Sequence, residues 1–268
     1  MANIKSPQEI KQIIEGGKLM GEILEKLEKI VKPGLTTWEI DQQAEKMIRD
    51  VGGRPAFKGY FTSPGETPFP TTICASVNKE LVHGIAKKEM VLKDGDIFTI
   101  DIGMEWPYNK GGRGFYTDTA VTVPVGKISD DLVELLRVTK QSMEEGIKAA
   151  VAGNSVADIG KAVEHYVKSQ GTYGIIRDLV GHGVGHAVHE DPKIPNYYDP
   201  RLEKIKLKPG MVIAIEPMIS MGDWRVSMGK DGWTIMMKDG SLCDHFEHTV
   251  IITEDGNIVA TRRPSEKL

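Results

Sequence analysis

The sequence predicts one α/β domain assembled from two similar halves, and three internal repeats carry that prediction. The first repeat is a helix: Gly34, Thr36, Glu39, Ile40, Glu45, Ile48 and Gly52 match Gly153, Ser155, Asp158, Ile159, Glu164, Val167 and Gly171 at one constant offset without a gap. The second is a strand. Leu92-Lys93-Asp94-Gly95-Asp96-Ile97-Phe98-Thr99-Ile100-Asp101 and Leu207-Lys208-Pro209-Gly210-Met211-Val212-Ile213-Ala214-Ile215-Glu216 each open with Leu-Lys and a glycine turn, run through a β-prone apolar stretch and end in a carboxylate. The third pairs Asp118-Thr119-Ala120-Val121-Thr122-Val123 with Glu247-His248-Thr249-Val250-Ile251-Ile252. Helix, Gly-turn strand and second carboxylate strand recur in the same order, which favours duplication over a chance likeness of two helices. Two such halves would close around a pseudo-two-fold axis, each offering two carboxylates to a shared central cleft.

The elements follow in order. Ser6-Pro7-Gln8-Glu9 is a helix start, with Ser as N-cap, Pro in the first position and Glu three residues after the cap. Ile10, Ile13, Ile14, Leu19, Met20, Ile23, Leu24, Leu27 and Ile30 then recur at helical spacing, and Pro33-Gly34 ends the run. A second helix is expected from Thr37 to Arg49, with Ile40, Ala44, Met47 and Ile48 on one face. A strand is expected before His83, in Leu81-Val82-His83-Gly84, and the repeated strands come next. Neither low-complexity segments nor linkers interrupt the chain, so residues 1–268 read as a single domain.

Composition narrows the class. A length of 268 residues and a hydrophobic content of 40% suit one globular α/β domain. With a net charge of -4 and Lys and Arg spread among acids, the chain lacks the basic excess of a nucleic-acid-binding protein. Cys74 and Cys243 lie far apart and match no CxxC spacing, which excludes a disulfide framework and fits a reducing compartment. No apolar signal region opens the chain, and no run reaches the ~18 uncharged apolar residues of a spanning helix. The expected location is therefore the cytoplasm, with no membrane partner.

The chemistry rests on carboxylates in apolar surroundings. Glu216 ends a run of five residues, Met211-Val212-Ile213-Ala214-Ile215, with no other polar side chain, where a lone carboxylate would protonate or unfold the strand. Taken singly the others have plainer readings: Asp101 as a turn Asp before Gly103, Asp118 as an exposed strand residue, and His245, Glu247 and His248 as surface groups. As a repeated pair of pairs joined by His182 they point to two divalent cations, because buried carboxylates need neutralising. That is the pattern of a dinuclear metallohydrolase. Gly181-His182-Gly183-Val184-Gly185-His186-Ala187-Val188-His189-Glu190 packs three histidines and three glycines together, and reads as a site loop rather than core. His83 is either a satisfied core histidine or part of that site.

With these residues in hand, the chain resembles the methionine aminopeptidases of the short bacterial type I, in the M24 metallopeptidase family. The matching segments are Cys74 to Gly84, Asp94-Gly95-Asp96 to Asp101, Gly181 to Gly185, His189-Glu190, Ile215-Glu216-Pro217-Met218, Asp231-Gly232-Trp233-Thr234 and Phe246-Glu247-His248-Thr249, in family order over nearly the whole chain. The resemblance implies the α/β pita-bread fold. It also implies that Asp101, Asp118, His182, Glu216 and Glu247 hold two metal ions, Asp118 and Glu247 bridging both, Asp101 chelating one, and His182 with Glu216 completing the other. Oxygen-rich ligation with one imidazole suits cobalt, manganese, iron or zinc. By the same resemblance a bridging water of lowered pKa is the nucleophile and Glu216 relays its proton to the leaving amine. His189 would then bond the scissile carbonyl and His83 the scissile amide. The free α-amine would meet the metal at Asp101. Phe69, Cys74 and Trp233 are the candidate methionine-pocket residues. The implied substrate is the initiator methionine of nascent polypeptides whose second residue is small, met near the ribosome exit region by a monomeric enzyme.

Three departures bear on the pocket rather than on the metals. Asp101 and Asp118 are separated by several more residues than the family has, with Glu105 to Gly114 between them. A second insertion runs from Phe61 to Pro68. His186 and Val188 stand where the family has a basic and an aromatic residue, so the pocket widens unless an inserted aromatic refills it. Two other readings share the five ligands or the fold: an Xaa-Pro aminopeptidase or dipeptidase, which carries an additional N-terminal domain, and a non-catalytic binding relative that has lost its metals. The extra helical insertion of the type II aminopeptidases is not present.

Overall fold

The computed structural model describes residues 3–61, 65, 67–109 and 114–266. Ser6 caps α1 (Pro7–Ile30) as the Ser-Pro-x-Glu pattern requires: its hydroxyl accepts the Glu9 amide while the Glu9 carboxylate accepts the Ser6 amide. The same reciprocal box, Thr36 with Glu39, opens α2 (Thr37–Asp50). Ser129 caps α3 (Asp130–Ala149), and Ser155 with Asp158 forms the box of α4 (Val156–Gln170). The repeated helices α2 and α4 thus begin with the same device at matching residues.

The first half supplies strands β1 (Arg54–Pro55), β2 (Ile73–Val77), β3 (Glu80–Val82), β4 (Ile97–Trp106) and β5 (Phe115–Pro124). The second supplies β6 (Gly174–Ile175), β7 (Gly181–Gly183), β8 (Glu190–Ile194), β9 (Val212–Ile215), β10 (Met218–Ser220), β11 (Val226–Met228), β12 (Ile235–Met237), β13 (Cys243–His245), β14 (His248–Thr253) and β15 (Gly256–Val259). Two antiparallel sheets dominate: β1-β4-β2 with β5 also on β4, and β15-β14-β9-β7-β8. Two three-stranded sheets, β13-β10-β6 and β11-β12-β3, complete the rim.

Backbone hydrogen bonds record the duplication more firmly than residue identities do. Gly34 donates to the Leu92 carbonyl at 2.9 Å and Gly153 to that of Leu207 at 3.1 Å. Leu92 donates to Leu35 as Leu207 does to Asn154, both at 2.8 Å, and Thr37 to Met90 as Val156 does to Ile205, both at 3.0 Å. The halves meet where Ala120 of β5 and Glu247 exchange backbone bonds of 3.3 and 3.0 Å. The Thr119 hydroxyl donates to the Glu247 carbonyl, and the Thr249 hydroxyl accepts the Asp118 amide and donates to its carbonyl.

Strand alternation sorts the side chains. Phe98, Ile100, Ile102 and Met104 of β4 join Met20, Leu24, Leu27, Ile40 and Ile48 of the helices in one core that also takes in Ile213, Ile215 and Val250. The intervening positions face the other way, and of these Asp101 lines the cleft. Asp101 is therefore not a turn residue but sits in the middle of a ten-residue strand that runs on to Trp106. Gly103 is explained by packing: a Cβ there would overlap Phe57 and Ala56. The hairpin grows outward from both ligands; of its added segment, residues 110–113 lie outside the described residues, as do 62–64 and 66 of the other insertion.

Candidate active site

A cavity of about 500 Å3 between the halves is lined by all five predicted ligands, both predicted histidines and the three predicted pocket residues: Asp101, Asp118, His182, Glu216, Glu247, His83, His189, Phe69, Cys74 and Trp233. Asp101 and Asp118 come from neighbouring strands, with Asp101 opposite Ala120 and Asp118 opposite Gly103. His182 is the central residue of β7, Glu216 follows β9, and Glu247 lies between β13 and β14. The Glu216 carbonyl accepts from the buried Asn196 amide at 2.9 Å, which fixes the turn at Pro217.

His182 shows what the cluster is built to hold. Its Nδ1 lies 2.9 Å from the Gly183 carbonyl oxygen, which only accepts, so the ring proton sits there. The lone pair of Nε2 then faces Glu216 Oε1 at 3.5 Å and Asp118 Oδ2 at 3.9 Å. Acceptor turned toward acceptors in a buried site needs a cation or a carboxyl proton between them. Ligand atoms of Asp118, His182 and Glu247 all lie within 4.8 Å of one another, and one carboxylate oxygen each of Asp101 and Asp118 is buried without a hydrogen-bond partner among the described residues. The donor set fits divalent cations of the first transition row.

The electrostatics agree. Burial, and next the charge of Glu216, push Asp101 up to about 8. Burial likewise raises Asp118, Glu216 and Glu247 well above the carboxylate range, with their mutual repulsion adding to it. Desolvation drives His83 down to about 4 and His182 down to about 3, and it lowers His189. Without cations the carboxylates hold protons, while the imidazoles are neutral and ready to ligate or donate.

Two expectations need correction. The surface alternative for Asp118, His245, Glu247 and His248 fails, since all four are buried. Gly181 and Gly183 belong to a buried strand, not to a loop approaching a ligand: a Cβ at either would overlap the carbonyl of Ala214 or of Asp191 on adjacent chain. Only the stretch after Val184 is loop. There Glu190 accepts the His186 and Ala187 amides through Oε1 and the buried Lys5 ammonium at 2.7 Å through Oε2.

Sequence reasoning missed Phe57, Tyr60 and His245. Phe57 lines the cavity and clusters with Phe69, Cys74 and Val188, so the aromatic beside Val188 comes from the segment after β1 and not, as expected, from an insertion. Tyr60 bonds His189. His245 is buried with Nε2 3.5 Å from Glu216 Oε2, and desolvation lowers it to about 3. Its only signal was its place two residues before Glu247. Trp233 is seated by Asp231, which accepts the Trp233 and Thr234 amides, and its indole donates to the Thr67 carbonyl at 3.0 Å.

Comparison with known proteins places this geometry. The profile of metallopeptidase family M24 matches residues 11–254. The methionine aminopeptidase of Clostridium acetobutylicum is 42% identical over 261 residues, covering 97% of this chain and 99% of that one. Methionine aminopeptidase 1 of Bacillus subtilis is 45% identical over 258 residues, covering 96% and 98%. The crystal structure of a methionine aminopeptidase from Thermotoga maritima superposes with a TM-score of 0.89 at 41% identity, covering 98% of this chain and all of that one. A prolidase from Pyrococcus furiosus, 23% identical, shares the fold with a TM-score of 0.72, and this chain covers 66% of it. The fold is the duplicated pita-bread arrangement that the sequence predicts.

Proposed function

Because the chain belongs to metallopeptidase family M24, we propose that it is a methionine aminopeptidase, removing the initiator methionine from polypeptides whose second residue is small. The observation that carries this reading is the junction of two unlike surfaces in one cavity: four buried carboxylates with an imidazole, and an apolar wall of Phe57, Tyr60, Phe69, Cys74 and Trp233. An unbranched thioether side chain suits such a wall. Full-length identity near 40% to methionine aminopeptidases supports the choice over the Xaa-Pro enzymes, with which likeness is confined to the fold.

Asp101, Asp118, His182, Glu216 and Glu247 would hold two divalent cations. When bound, these supply Lewis acidity toward the scissile carbonyl and lower the pKa of a water at the cluster. Glu216, ionised beside the cations, accepts a proton and delivers it to the departing amine. His189, neutral and beside His182 with ring centroids 4.5 Å apart, donates to the carbonyl oxygen as charge builds there. His83 faces the same cavity from a left-handed backbone (φ 57) and holds the scissile amide.

No helix among the described residues is long and apolar enough to cross a membrane. The N-termini of nascent polypeptides in the cytoplasm, met near the ribosome exit, are the partners this reading assigns. The test is release of the first residue from Met-Ala-Ser and from Ala-Pro-Ala by chelator-treated protein, with and without Mn(II). Metal-dependent release of methionine alone is expected. Cleavage before proline would move the protein to the Xaa-Pro branch, and no cleavage despite bound metal would refute the activity.

A further inference from the structure

The contact between Tyr60 and His189 reaches beyond pocket lining. The Tyr60 hydroxyl lies 2.9 Å from His189 Nδ1, and the rings meet edge-on at 5.3 Å between centroids. The tyrosine backbone is held for this contact: its amide donates to the Phe57 carbonyl, and its carbonyl accepts the Phe69 amide, both at 2.8 Å. His189 thus leans on a clamped turn rather than on a free side chain.

A neutral imidazole carries one N–H and one lone pair, and the partner at one nitrogen decides which is which. An imidazole nitrogen is a much better acceptor than a phenol oxygen, and a phenol is a better donor than a neutral imidazole. The favoured arrangement has the hydroxyl donating to Nδ1. The ring proton then sits on Nε2, the nitrogen turned away from Tyr60. The other arrangement would present a lone pair to the substrate carbonyl and repel the charge developing on it.

Resting on the aminopeptidase reading, we infer that Tyr60 is a positioning residue that holds His189 in the Nε2–H tautomer, so that it donates to the scissile carbonyl in the transition state. Because Tyr60 also lines the apolar pocket, one side chain touches both the place for the methionine and the group that serves the reaction.

The experiment is Tyr60→Phe, which keeps the ring and removes the hydroxyl. Two readouts are taken. One is the His189 tautomer, from long-range proton–nitrogen NMR spectra of Zn(II)-loaded, histidine-labelled protein; the other is steady-state release of methionine from Met-Ala-Ser. The wild type is expected in the Nε2–H form. The variant is expected to show a mixed or Nδ1–H form and a kcat about 10- to 100-fold lower, with KM changed less than about threefold, because the lost interaction forms only in the transition state. An Nδ1–H wild type overturns the inference, as does a variant with unchanged tautomer, whatever its rate. If the wild type releases no methionine at all, the aminopeptidase reading fails while the spectra still decide the tautomer.

Discussion

Chelation should give this protein an unusual pH dependence of stability, declining above neutrality, and the buried carboxylates set its size. Asp101 is held protonated to about 8 against an ordinary 3.8, by burial first and by Glu216 second. A carboxyl with a raised folded-state pKa stabilises the fold fully below the unfolded pKa, and that stability is lost as pH rises through the folded value. The buried histidines work in the opposite sense. His83, His182 and His245 are lowered by desolvation to about 4, 3 and 3, so their contribution is complete above an unfolded pKa of 6.5 and lost as pH falls. Between pH 6.5 and 8 the histidines are silent and the carboxylates act alone. One retained proton over that interval is worth roughly 2 kcal/mol, or a fall in Tm of about 4–8 °C for a domain of this size. Cations neutralise the cluster and should flatten the slope, leaving only what Asp244, a buried carboxyl outside the cluster, contributes. Differential scanning calorimetry of chelated and Mn(II)-loaded protein across that range is the assay. A flat or rising Tm for the chelated protein between pH 6.5 and 8 would refute the reasoning, as would an equal slope with metal bound.

Other consequences follow from single contacts. Asp41, fully buried on α2, accepts the Thr72 and Ile73 amides at 2.7 and 3.0 Å. Asp41→Ala strands both donors beside the pocket strand and should cost about 2–5 kcal/mol in urea unfolding, with Asp41→Asn costing less; equal losses would show that the acceptor oxygen is not what matters. Lys5→Met removes the only cationic partner that Glu190 has among the described residues, leaving it the Asn3, His186 and Ala187 amide donors, and should cost about 2–3 kcal/mol. Adding Glu190→Gln should recover part of that loss, and strictly additive losses would rule out coupling between the pair. Phe57→Ala should lower kcat/KM for methionine peptides by about 10- to 100-fold and shift the ratio toward larger first residues; an unchanged ratio across a peptide panel would remove Phe57 from the pocket wall.

That the five candidate ligands would meet in one cleft was legible in the sequence because they ride on the duplicated strands. Asp101 and Glu216 end matched apolar runs, Asp118 and Glu247 open matched ones, and the spacing survives because each residue is held by strand register and by the backbone pairing of Ala120 with Glu247. What the sequence does not show is which neighbour a residue's chemistry serves. Gly181 and Gly183 look like ligand-approach glycines, yet the atoms they make room for are backbone carbonyls of adjacent chain. His245 looks like a surface group beside Glu247 until strand pairing with Met218 brings it beside Glu216.

The pocket was less legible for a physical reason that also bears on how it can vary. Phe57 and Tyr60 come from the turn after β1, Phe69 from the end of an insertion, Val188 from the loop after β7 and Trp233 from between β11 and β12, with no common period to mark them. Loops are free to exchange volume among themselves where strands are not, since shifting a strand by one residue would turn its carboxylate out of the cleft. Phe57 and Val188 fit such an exchange: the ring sits over Gly103, where no side chain competes, and the smaller valine packs behind it. A wall built this way can change which residue supplies its aromatic while Asp101, two positions along the same strand, keeps its place in the cleft. The wall and the carboxylates are thus carried by different parts of the chain, loops for the one and strands for the other, with Tyr60 the side chain that touches both the wall and His189.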